Sequence, residues 1–166
     1  MHRIVTGFVL AALALTGCSE EASPEATAQG EASPSWTLAS APEGAVGVVE
    51  VRAAAQEGDS VVIRGRIGGR AEPISDGSPV FTIMDLSLAY CGQASDDGCT
   101  TPWDYCCETP EAIAAHAATV QVIGIEGGAL TGLAALDEVV VVGTVGPRPT
   151  PAVLTIIATG VHRVGG

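Results

Sequence analysis

From Ser60 to the C-terminus, short runs rich in Val and Ile are cut apart by glycine and proline, a pattern that leaves little room for anything but β structure. Gly58-Asp59 opens the stretch Ser60–Gly69, where Val61, Ile63 and Ile67 alternate with Val62, Arg64 and Arg66. That period of two is the signature of a half-buried strand. Gly65 and Gly68 within it predict a bend or bulge. Val80 to Leu88, with Asp85 inside it, predicts a second strand, and Ala118 to Ile125, ended by Gly127-Gly128, a third. Leu130, Leu133 and Leu136 recur at helical spacing and predict a short helical element. Asp137-Glu138 leads into Val139–Val145, an unbroken apolar run expected to be buried on both faces, and Val153 to Val164 supplies the last strand. Pro147, Pro149 and Pro151 keep the connection between these two out of a sheet.

The expected order is β-β-β-α-β-β, that of a five-stranded Greek-key barrel, mostly β, with a Cys-rich insertion (89–117) after the second strand. Three phrases, Val61–Ile67, Phe81–Leu86 and Asp137–Val145, taken in that order, resemble the oligonucleotide/oligosaccharide-binding (OB) family, most closely its anticodon-binding type. The resemblance covers most of the region from about Glu57 to Val164. It implies a candidate binding face on the first three strands, where Arg64, Arg66 and Phe81 fall and Arg70 lies close by. Charge opposes the nucleic-acid function that this family often serves. The chain carries 19 acidic residues against 7 arginines and no lysine, a net charge of -12. From Ala45 onward six arginines face fourteen acids. Phosphate backbones draw proteins through Lys and Arg, so nucleic acid is not an expected partner, and Arg64 and Arg66 read more simply as solvated strand residues paired with carboxylates.

The N-terminus specifies an address. His2 and Arg3 precede an apolar run from Ile4 to Leu15, too short to span a bilayer and typical of a signal-peptide core. Leu15-Thr16-Gly17-Cys18 then resembles a bacterial lipobox, which implies cleavage after residue 17 and lipidation (diacylglycerol, palmitate) of Cys18. A lipoprotein on the periplasmic face of a bacterial membrane is the expectation. Ser19, standing where many inner-membrane lipoproteins carry Asp, tilts it toward the outer membrane. Residues 18–44 form an acidic Ser-, Ala-, Pro- and Glu-rich stretch, read as a disordered tether in which only Trp36 and Leu38 could dock; the domain is taken as 45–166.

Within the insertion, Cys91, Cys99, Cys106 and Cys107 fall within 17 residues. An oxidising compartment makes two disulfides the leading expectation. Adjacent cysteines rarely bond one another, so Cys106 and Cys107 should each reach back to Cys91 or Cys99, leaving two connectivities. The alternatives are reactive thiols or a metal site holding zinc or iron, with Asp96, Asp97, Asp104, Glu108 and His116 as further donors. Against a metal stand the spacing C-x7-C-x6-C-C, which lacks paired C-x2-C knuckles, and the vicinal pair, awkward for two ligands on one ion. Tyr90, Trp103 and Tyr105 beside Asp104 make the same insertion a candidate binding surface, or else a cap over the barrel's open end.

Catalysis finds little support. Without lysine there is no P-loop, Schiff base or Lys general base. G-x-S-x-G, H-E-x-x-H, C-x-x-C and dinucleotide fingerprints are all missing from the sequence. His116, in a helical turn from Pro110 to Ala117, and His162, in the last strand, read as surface residues. Asp85, Asp97 and Asp104 are the remaining candidates for an acid–base pair. The expected function is therefore a membrane-anchored, extracytoplasmic, non-catalytic OB-like binding or scaffold module for an unidentified protein or small ligand, without a cofactor. The rival expectation is a metal-binding or redox lipoprotein that uses the four cysteines.

Overall fold

A computed structural model describes residues 36–94, 98–125 and 130–165. The leader, Cys18 and the first part of the tether lie outside the described residues, as do Asp96, Asp97, Gly127 and Gly128. The elements are β1 (Val46–Gly47), α1 (Val48–Ala54), β2 (Ser60–Ile67), β3 (Val80–Met84), a 3-10 turn at Pro102–Asp104, α2 (Pro110–His116), β4 (Ala117–Val122), β5 (Glu138–Val145) and β6 (Thr155–Arg163). Among the described residues no helix is long and apolar enough to cross a membrane.

The strands pair in the order β1-β2-β3-β4-β6-β5, and a further β2–β5 pairing closes five of them into a barrel. β4 and β6 run parallel while β2–β3, β3–β4, β5–β6 and β2–β5 are antiparallel. This is the OB-like barrel expected from the strand phrases. β2 serves three neighbours: β1 runs parallel beside Ile63 and Arg64, Ser60–Arg66 lie opposite β5, and Arg66–Ile67 opposite β3. Gly65 makes the crossing possible, since a Cβ there would stand 2.8 Å from the Met84 carbonyl oxygen. The register shift falls elsewhere, between Val142 and Gly143 of β5.

Inward-facing side chains fill the barrel: Ile63 and Ile67 from β2, Phe81 and Ile83 from β3, Val139 and Val141 from β5, and Ile156 from β6. The alternation in β2 is as expected, with Ile63 and Ile67 buried and Arg64 exposed. Phe81 is 1 % exposed and belongs to this core, which removes it from the candidate binding surface.

Two further expectations are corrected, and one element stands for which the sequence carried no expectation. The packed domain reaches back to Trp36, ahead of the expected start at Ala45: the indole is 4 % exposed, and the backbone around it bonds β6 through Val161 N–H to Trp36 C=O and Leu38 N–H to Val161 C=O. The buried ring and the two backbone hydrogen bonds tie this stretch to β6.

The leucine spacing at Leu130, Leu133 and Leu136 does not make a helix. Gly132 and Leu136 have φ of 88° and 68°, and Asp137 turns the chain by accepting the Ala134 N–H. Leu130 and Leu133 still pack on the core, which explains their apolar character.

The unanticipated element is α1, a helix without a helical signal, written Val-Val-Glu-Val-Arg-Ala-Ala. β-Branched residues are poor helix formers, and tertiary contacts make up the deficit. Val48 and Val51, three apart, are buried in the core. Asp85, just beyond the end of β3, accepts the Val49 N–H at 2.8 Å and so caps the helix from across the fold. Gly47 leaves room for this carboxylate, since a Cβ there would lie 2.7 Å from Asp85 Oδ2. At the other end, Arg52 donates to the Ala117, Pro151 and Ala152 carbonyls, and Arg148 to those of Ala55 and Arg52.

Candidate functional site

The Cys insertion leaves β3 at Asp85 and returns through α2, whose N-terminus is set by Pro110 and by Thr109, the hydroxyl of which accepts the Ala112 N–H. It lies against the end of β2. Gly69 donates its N–H to the Trp103 carbonyl, and Trp103 Nε1 donates to the Ala71 carbonyl at 3.2 Å. At Gly68 a Cβ would stand 2.8 Å from the Tyr105 ring and 2.9 Å from the Trp103 oxygen. The Gly68-Gly69 pair is therefore a docking notch, and only its bend was legible beforehand. Tyr105 fills it and is fully buried, as in the capping alternative, and not part of an exposed surface. Burial pushes its phenol above the ordinary range, opposed in part by the Arg66 guanidinium. Trp103 and Asp104, on the 3-10 turn, remain partly accessible.

The two strand arginines are engaged by the chain itself. Arg66 stacks over the Tyr90 ring, 4.8 Å from its centroid, and lies 4.0 Å from Glu138, its partner in register on β5. Arg64 also pairs with Glu138. These are the carboxylate partners expected for strand charges.

The cysteines converge. Cys106 Sγ lies 3.5 Å from Cys91 Sγ and 3.4 Å from Cys99 Sγ. The sulfurs of Cys91, Cys106 and Cys107 all lie within 4.8 Å of one another. Cys91 is buried and Cys106 and Cys107 are exposed. The Cys107 N–H points at Cys91 Sγ at 3.4 Å. Burial pushes the Cys91 thiol up, but that N–H and the thiols of Cys107, Cys106 and Cys99 together bring it below its ordinary value. Cys106 moves the other way, to about 12, because its hydrogen bonds to Cys99 and Cys91 hold its proton.

Neither Asp104, Glu108 nor His116 belongs to the thiol group. His116 ends α2, with Nδ1 2.7 Å from the Ala112 carbonyl oxygen, and His162 Nδ1 lies 3.0 Å from that of Leu38. Asp85 is the polar residue whose role sequence reasoning missed. Its signal was an acidic residue in an otherwise apolar strand; it is 7 % exposed and spends its oxygens on Val49 and Ser87.

No protein-family model matches the chain, and no curated protein matches it. Among solved structures it is similar to the hypothetical protein ygiW from E. coli, with 19 % identity and a TM-score of 0.40 over 74 % of this chain and 94 % of that one. It is also similar to a protein described as an aspartyl-tRNA synthetase from Leishmania major Friedlin, with 12 % identity and a TM-score of 0.37 over 76 % of this chain and 22 % of that one. The second match thus spans under a quarter of its counterpart. The OB-like fold stands on the chain's own strand order and barrel closure.

Proposed function

We propose that the protein is a lipid-anchored, extracytoplasmic, non-catalytic OB-like module whose binding surface is carried by the cysteine insertion instead of the barrel face. The observation that supports this most is the burial of Tyr105 against Gly68, which lays the insertion over the end of β2. Arg66 stacks on Tyr90, Arg64 pairs with Glu138 and Phe81 is in the core, so the residues an OB barrel would offer to a nucleic acid are occupied by the chain itself. The acidic balance acts in the same direction. In this reading the lipobox at Leu15–Cys18 tethers the domain to the periplasmic face of the outer membrane. The residues left accessible for a protein or small ligand are Trp103, Asp104 and the exposed thiols.

Detergent phase partitioning and oligonucleotide binding test the two halves of this reading. The full chain should enter the detergent phase and its Cys18→Ser variant the aqueous phase. Neither should bind single-stranded oligonucleotides at micromolar concentration in about 0.15 M salt, where the charges are screened beyond roughly 8 Å. Unchanged partitioning would remove the anchor. Oligonucleotide binding that disappears in Arg64→Ala/Arg66→Ala would return the function to the barrel face.

A further inference from the structure

We propose that Cys91, Cys99, Cys106 and Cys107 hold one thiophilic divalent metal ion, zinc(II) in class, as a tetrahedral four-sulfur site. This names a ligand for the insertion that the functional reading above treats as the binding surface, and rests on that reading only for the site's accessibility.

The sulfur geometry carries the argument. A disulfide joins two sulfurs at about 2 Å. Here Cys106 Sγ is shared nearly evenly between Cys91 at 3.5 Å and Cys99 at 3.4 Å, while Cys107 joins Cys91 and Cys106 in one group within 4.8 Å. A tetrahedral zinc with bonds of about 2.3 Å sets its sulfurs roughly 3.8 Å apart. The two Cys106 spacings sit near that value; Cys99, 3.4 Å from Cys106, is the fourth donor and stands outside the three sulfurs that lie within 4.8 Å of one another. Three sulfurs around a common point are what an ion needs.

A second observation is independent of those distances. The Cys107 N–H is directed at Cys91 Sγ, the kind of outer-shell hydrogen bond that orients a thiolate ligand and tunes its basicity. The vicinal pair, awkward on paper, is accommodated by the backbone. Tyr105 takes a left-handed conformation, φ 57°, and its carbonyl accepts the Glu108 N–H, so the chain reverses around Cys106 and Cys107 and brings both sulfurs toward Cys91. That conformation is unfavourable for a residue with a Cβ, and burial of the Tyr105 ring against Gly68 holds it there.

Donor chemistry selects the class of ion. Among the described residues the group contains sulfur alone, without carboxylate or imidazole. Such a set favours zinc and its thiophilic relatives over magnesium, calcium or manganese, which take oxygen. On binding, the thiols release their protons to solvent and four sulfurs occupy the four positions, which makes the site structural, with no open position for a substrate. The metal would then supply the insertion with the organisation that its few buried side chains do not.

The test uses the full chain, exported with zinc in the medium and solubilised in mild detergent. Metal analysis should return one equivalent of zinc, and alkylation of the native protein should leave the insertion thiols unmodified until a chelator is added. Cobalt(II) added to the chelated protein should give the intense visible absorption of a tetrahedral thiolate site, bleached by one equivalent of zinc. Cys106→Ser should weaken zinc binding at least about 100-fold, beyond the 10–100-fold that outer-shell changes cost. Its far-UV spectrum should retain the barrel, and a Cys107→Ser variant provides a second reading should Cys106→Ser fail to fold. Two mapped disulfides in the zinc-grown protein, or a weak octahedral cobalt spectrum, would overturn the metal site. Either result leaves the partitioning and oligonucleotide measurements as they stand, because those report on Cys18 and the barrel face.

Discussion

Asp85 links the strand that begins the insertion to the helix that closes one end of the barrel, and its replacement tests that account of the fold. The carboxylate accepts three hydrogen bonds, from Val49 N at 2.8 Å, Ser87 N at 2.9 Å and Ser87 Oγ at 2.6 Å. Bonds to a charged acceptor contribute roughly 1.5–3 kcal/mol each. The two from Ser87 are local and partly replaceable by water, whereas the Val49 N–H belongs to the first turn of a helix that has no side-chain cap of its own. Asp85→Ala should therefore destabilise the domain by about 3 kcal/mol, most of it from the orphaned helix end and the lost charge-assisted bonds. With an unfolding entropy of about 2.1 cal/mol/K per residue over roughly 130 residues, that lowers Tm by about 11 °C. Chemical denaturation read by far-UV circular dichroism measures the first quantity and a thermal scan the second. Amide exchange at Val49 should accelerate more than exchange in β5, because α1 loosens before the barrel does. The sign of the pH dependence follows from the same contacts. Burial pushes the Asp85 carboxyl up, but the Ser87 hydroxyl, the Val49 and Ser87 N–H groups and the field of His116 outweigh it and hold the group below its ordinary value. A carboxyl depressed on folding stabilises the native state above its unfolded pKa of about 3.9 and loses that contribution as pH falls through the folded value. The gap between wild type and Asp85→Asn should be widest at neutral pH, narrow below about pH 4 and close once the folded carboxyl is protonated. An Asp85→Ala protein within about 0.5 kcal/mol of wild type would refute the cap across the fold, since changes of that size are ordinary for surface positions.

Other perturbations probe separate parts of the structure. Gly68→Ala should cost about 1–3 kcal/mol by overpacking and, in chelator-treated protein, speed alkylation of the buried Cys91, because a Cβ there meets the Tyr105 ring at 2.8 Å; unchanged Cys91 reactivity after chelation would mean that the notch does not hold the insertion. Trp36→Ala should lose about 3–5 kcal/mol in denaturant unfolding, as expected for a core aromatic and far more than a tether residue would cost. Arg64→Ala, which removes an exposed ion pair with Glu138, should change stability by less than about 1 kcal/mol in the same assay, and a larger loss would show the pair to be structural.

The barrel was legible because strand periodicity is a local property. Ile63 and Ile67 on one side of β2 and Arg64 on the other announce a half-buried strand without any knowledge of what covers it. The Val-rich run before Gly143 likewise announces a buried strand, and the order of the phrases sufficed for the topology. The clustering of four cysteines in one insertion was equally plain, but not the arrangement of their sulfurs, which depends on a left-handed turn at Tyr105 that no spacing rule encodes. Only the tertiary structure could show that Val48–Ala54 is helical, because its propensity points elsewhere and its stability comes from the buried Val48 and Val51 and from a carboxylate 36 residues away. The same holds in reverse for Leu130, Leu133 and Leu136: a helical spacing arose from contacts with the core, while the backbone at Gly132 and Leu136 turned away from the helix. Sequence determines what a segment prefers when its neighbours are averaged out. Where the preference is weak, as at α1, or the segment is short, as before β5, the long-range contacts decide, because a single buried side chain or an acceptor for one orphaned N–H is worth more than the summed propensity of seven residues.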